Sequence, residues 1–87
     1  MNIEEAIEYC SGRKIAIHTD SLEKYDKLMV LLESKGYRWC SDSIPTEPMW
    51  FYDNMEETCV SLESGRITFG SAFAYLKEKY EILEVDE

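Results

Sequence analysis

The chain has 87 residues, 45% of them apolar, and sets 18 Asp and Glu against 9 Lys and Arg for a formal net charge of −9. A chain of this length makes one domain that buries roughly 60–65% of the surface it exposes when unfolded, and its apolar content is high enough to exclude general disorder. The charge excludes a nucleic-acid binder that works through phosphates, whose affinity comes from Lys and Arg releasing counterions, and disfavours an anionic membrane surface; it suits a basic partner.

Asn2 is placed to cap a first helix, with Glu5 as its capping-box partner. Ile3, Ala6, Ile7 and Cys10 then fall on one stripe, and Gly12 is the expected stop. Lys14 to His18 reads as a strand that is apolar on both faces, as a central strand is. Asp20 with Glu23, or Ser21 alone, caps a helix over about 21–35. Its inward face is Leu22, Tyr25, Leu28, Met29 and Leu32, widened by Leu31, and Gly36 ends it.

Tyr37 to Cys40 alternates like a strand, with Tyr37 and Trp39 on one face and Arg38 and Cys40 on the other. Residues 41–48 form a loop with two prolines, and Met49 to Tyr52 reads as a further strand. Thr58 to Leu62 and Arg66 to Phe69 make a hairpin around Ser64-Gly65. A short helix opens at Gly70-Ser71 with Ala72, Phe73, Leu76 and Tyr80 expected inward, and Ile82, Leu83 and Val85 close the chain as a strand. The expectation is an α+β domain over residues 1–87. It has a mostly antiparallel or mixed twisted sheet of about five to six strands, the 21–35 helix packed on one face, and two short helices. A crossover through that helix is right-handed if the strands it joins are parallel.

No stretch reaches the ~20 apolar residues of a membrane span, and the N-terminus is acidic where a secretory signal is basic. Both point to the cytosol. Cys10, Cys40 and Cys59 cannot all pair with one another, form no CxxC and share the chain with one histidine. They read as reduced thiols acting as small apolar residues, with no metal site and no cofactor.

The run KIAIHTDSLEKYDKLMVLLESKGYRW, followed by W-x-Y, T-C-V-x-L, G-x-I-T-F-G and Y-E-I-L-E-V, resembles small acidic accessory proteins of bacteriophages and prophages over residues 14–86. The resemblance implies no catalytic residues. It implies a protein of the host bacterial cytosol that binds and disables a host protein, or that sequesters a small signalling molecule used in host defence.

Several residues invite chemistry. His18 followed by Thr19, Asp20 and Ser21 at a helix start could hold an anion or be an ordinary cap; Asp20 favours the cap. A His18–cysteine nucleophile pair needs hydrogen-bond reach and an orienting group, and no motif supports an enzyme. The aromatic stretch offers Trp39, Trp50 and Tyr52, with Arg38 nearby, either as core, as an interface hot spot or as a platform for a base. In the platform reading Arg38 or Arg66 meets a phosphate and the protein is a homo-oligomer. Acidic residues offer a second surface: Glu4, Glu5 and Glu8 early, then Glu78, Glu81, Glu84, Asp86 and Glu87, which could converge on a basic host protein.

Overall fold

The computed structural model describes residues 1–86, so Glu87 of the expected acidic tail lies outside the described residues. The elements are α1 (Ile3–Cys10), β1 (Ile15–His18), α2 (Leu22–Ser34), α3 (Phe51–Asn54), a 3₁₀ turn at Met55–Glu57, β2 (Thr58–Ser61), β3 (Thr68–Ser71), α4 (Ala72–Lys77) and β4 (Glu81–Glu84). The class is α+β as expected. Among the described residues the sheet has four strands rather than five or six, in the order β3-β2-β1-β4. The second helix is 13 residues, shorter than anticipated.

Local chemistry explains the first half. The Glu5 amide donates to the Asn2 side chain at 2.8 Å while the Asn2 amide donates to Glu5 at 3.1 Å, closing the capping box. The Lys24 amide donates to Ser21, which therefore caps α2 in preference to Asp20. Ile3, Ala6, Ile7 and Cys10 of α1 and Tyr25, Leu28, Met29 and Leu32 of α2 bury against Ile15, Ile17 and Val60 of the sheet. Each fully buried Ile or Leu of this set contributes about 1.5–3 kcal/mol.

β1 is central. It runs antiparallel to β2 and parallel to β4, pairing Ile17 with Val60 and with Leu83. The strands on either side of α2 are thus antiparallel, and the crossover rule does not apply to them. Helices cover both faces. On the second face Ala16, Cys59 and Tyr75 pack with Ala72, Tyr80 and Ile82. A Cβ at Gly70 would stand 3.3 Å from the Tyr75 ring, so any larger residue there needs that ring to shift by a few tenths of an ångström.

Three expected elements are corrected. Tyr37 to Cys40 makes only one parallel bridge, Trp39 with Ile67, before the chain reverses through Asp42 at φ 73°. Met49 to Tyr52 is not a strand: Trp50 has helical backbone and α3 follows it. The Thr58 hydroxyl at the start of β2 lies 2.7 Å from the Met55 carbonyl and 3.2 Å from that of Phe51, holding this turn closed. In α4 the inward residues are Ala72 and Tyr75, while Phe73 and Leu76 are 71% and 59% exposed. Two apolar series spaced three apart compete there. The one holding Tyr75 wins because its ring packs edge-on to Tyr80 at 4.9 Å and its hydroxyl is 3.0 Å from that of Thr68.

Candidate binding surface

The aromatic stretch divides between core and surface. Trp39 is buried at 3% exposure, and its indole N–H donates to the Pro45 carbonyl at 3.2 Å. Phe51 is buried beside Tyr25, ring to ring at 5.7 Å. Met49, Trp50, Tyr52 and Met55 all stay outside, between 37% and 59% exposed. Trp50 lies flat on Phe69, with centroids 5.2 Å apart and planes 9° apart, and Trp39 meets the same Phe69 edge-on at 5.8 Å. The Trp39–Phe69–Trp50 pile lines a groove of about 270 Å³ that is completed by Cys40, Ser41, Ile67 and Thr68.

Buried polar groups fix this segment. The Tyr25 hydroxyl donates to the Pro48 carbonyl at 3.4 Å and accepts from the Trp50 amide at 3.3 Å. Burial also pushes the Tyr25 phenol above its usual range, so it stays a neutral donor. Tyr25→Phe is expected to cost about 1 kcal/mol of stability and to speed hydrogen exchange at the Trp50 amide. Urea titration and amide exchange read the two effects, and unchanged exchange at Trp50 would show that the hydroxyl holds nothing.

The arginines are engaged. Arg66 donates to the Asp42 carboxylate at 2.8 Å and to the Trp39 carbonyl at 3.3 Å, and Arg38 donates to the Asp42 carbonyl at 3.3 Å. The Arg66 hydrogen bond and its charge hold the Asp42 carboxyl below its ordinary value. Glu78, Glu81 and Glu84 do not form one patch. Glu81 and Glu84 are three apart on β4 and so point to opposite sheet faces. Glu84 is bonded to His18, and Glu78 lies beside Lys14 at a separate hollow. Asp86 is tied to the N-terminus, its amide donating to the Met1 carbonyl at 3.0 Å.

Sequence reasoning missed a different acidic set. Residues 39–65 contain Asp42, Glu47, Asp53, Glu56, Glu57 and Glu63 and no Lys or Arg. All six are exposed, and they share this segment with the outward aromatics. The signal available in the sequence was the absence of cations over 27 residues, not the density of acids.

His18 is structural. Its Nδ1 is 2.8 Å from Glu84 Oε2, and its Nε2 is 2.6 Å from the Glu56 carbonyl. Both partners only accept, so only the doubly protonated ring satisfies both. Burial opposes that charge, but the Glu56 hydrogen bond and then Glu84 and Asp20 outweigh it and raise the pKa. A raised folded pKa gives stability that is fully present below the unfolded pKa of about 6.5 and is lost as pH rises through the folded value. His18→Gln should therefore cost about 1 kcal/mol near pH 6 and less near pH 9, after allowing for the exposure of Glu84. Melting temperatures of both proteins across that range provide the check. Thr19 and Ser21 are spent on the Thr58 carbonyl and the helix cap, which fits the ordinary-cap reading.

Cys59 pairs opposite His18 in the sheet, but burial and then the charges of Glu84 and Glu57 push its thiol up to about 12. Burial, then Glu81, pushes Cys10 up to about 11. Cys40 departs from the expected apolar role: it is exposed at the rim of the aromatic groove. Among the described residues, no group of three or more His, Cys, Asp or Glu is arranged to hold a metal, and no helix is long and apolar enough to cross a membrane. Compared with known proteins, the chain matches no family model, no curated protein and no solved structure.

Proposed function

We propose that the chain is a non-enzymatic, phage-type accessory protein of the bacterial cytosol that binds and inhibits a host protein with a basic surface. The observation that carries this reading is the segment 49–55. It sets Met49, Trp50, Tyr52 and Met55 outside, on a buried anchor of Tyr25, Phe51 and Thr58, within a stretch that has six acids and no cation. Trp, Tyr and Met are the residue types enriched at interface centres. Acidic groups around them raise the encounter rate with a basic partner. The phage context rests on the resemblance over residues 14–86.

The alternative, sequestration of a nucleotide-like signal by an oligomer, needs cations free beside the aromatic groove. Arg38 and Arg66 are instead engaged around Asp42. Native mass spectrometry of the untagged protein drawn from bacterial cytosol separates the two. A basic protein retained at about 0.05 M salt and released at about 0.5 M, where the Debye length shrinks to a few ångströms, is the expected result. A small molecule held by an oligomer of this chain, with no second protein, would overturn it.

A further inference from the structure

We infer that the open edge of β3 takes an extended basic and apolar segment of the partner as an added strand. This rests on the binding surface proposed above and names how the partner engages it. Ile67 shows the outward direction of this edge: its amide donates to the Arg38 carbonyl at 2.9 Å and its carbonyl accepts from the Cys40 amide at 3.2 Å. Alternation then turns Thr68 and Gly70 inward to Ser61 and Cys59 of β2, and Phe69 and Ser71 outward. The segment that begins to cover the edge turns away after that single bridge. The Asp42 amide donates to the Trp39 carbonyl at 2.8 Å, and the Trp39 amide donates to the Ser43 carbonyl at 3.0 Å.

The N–H and C=O of Phe69 and the N–H of Ser71 are left facing outward without a backbone partner among the described residues. The edge is reachable, because Phe69 lines both the aromatic groove and a second hollow of about 300 Å³ beside Gly70 and Tyr75. Three residues of an added strand meet these three groups, and alternate side chains drop onto the Trp50–Phe69 stack. Natural edges are often blunted by Lys or Pro, and Thr68–Ser71 has neither.

Charge selects the occupant. Thr58 pairs with Ser71, so the 3₁₀ turn that carries Glu56 and Glu57 enters β2 at the Ser71 end of the sheet, and both residues are exposed. Residues 39–65 carry six acids and no Lys or Arg, Glu78 stands against Lys14 at the hollow beside Gly70, and Arg66 is already engaged by Asp42; this balance favours a basic segment and disfavours a second copy of a chain that itself has a net charge of −9.

The test uses the full chain, ¹⁵N-labelled, with an acetylated and amidated hexapeptide of alternating lysine and valine as the probe. A twin peptide N-methylated at every residue cannot extend a sheet. The lysine–valine peptide is expected to shift the Phe69 and Ser71 amide signals and slow their exchange about tenfold, and the twin to do neither. Binding of both peptides alike, abolished by Trp50→Ala and leaving those two amides untouched, sinks strand addition and keeps the surface reading. Protection at Phe69 and Ser71 that ignores salt and Trp50→Ala keeps strand addition and sinks the surface reading. No binding by either peptide, or the same protection appearing on self-association without peptide, overturns the inference.

Discussion

Replacing Trp39 by alanine is expected to cost the fold about 3–5 kcal/mol, the range for deleting a buried large aromatic. A domain of this size has about 5–15 kcal/mol in total, so the urea midpoint should fall by about a fifth or more. Three losses combine. The ring is 3% exposed and leaves a cavity. The Pro45 carbonyl, itself in a buried residue, loses its indole donor. The edge-on contact with Phe69 at 5.8 Å disappears, and with it the support of the ring on which Trp50 lies. Trp39→Phe keeps a ring and loses the donor, and should cost about half as much. Far-UV circular dichroism in urea measures both. A loss below about 1 kcal/mol for the alanine variant would mean that the site collapses around the gap and that Trp39 is not the keystone of this edge.

How much of this was legible depended on whether local signals acted alone. Asn2, Glu5 and the Ile3–Ala6–Ile7–Cys10 stripe agree with one another, and α1 forms as they predict. The apolar run of β1 correctly marked a central strand. Met49 to Tyr52 failed because four apolar residues suit a strand or a helix equally, and the choice was made at a distance by the Thr58 hydroxyl and the Tyr25 ring. Tyr37 to Cys40 failed for a related reason. Its alternation put Trp39 and Arg38 on opposite faces, as they are, but left open which face was buried, and the Asp42 turn allowed only one bridge. The acidic triad at 78, 81 and 84 was proposed from nearness in sequence, and the alternation of β4 separated two of its members. Strand order had no local signal at all, since β4 reaches β1 from the far end of the chain. The candidate surface was therefore found by residue type, while which aromatics faced outward was decided by packing.

Trp50→Ala is expected to weaken binding of the proposed basic partner by about 2 kcal/mol or more, roughly 30-fold, while costing the fold only about 1 kcal/mol. The two effects separate because Trp50 is half-exposed and touches the fold through one flat stack on Phe69, whereas Trp39 is enclosed. A stacked but open indole is already ordered, so a partner that covers it gains apolar burial with little further entropy cost. Tyr52, at 59% exposure and supported on one side by Phe51, has the character of a rim residue, and its alanine variant should cost about 1 kcal/mol of affinity. Tyr9→Ala removes an exposed aromatic from α1, away from this segment, and should change affinity by less than about twofold. Isothermal titration with the four proteins, paired with their melting temperatures, gives the ranking directly. If Tyr9→Ala and Trp50→Ala weaken binding equally, exposure of aromatics in general rather than the 49–55 segment governs recognition, and the assignment of this surface fails. If Trp50→Ala alone collapses affinity while its melting temperature falls by no more than about 8 °C, the stacked indole is the anchor on which the partner is held.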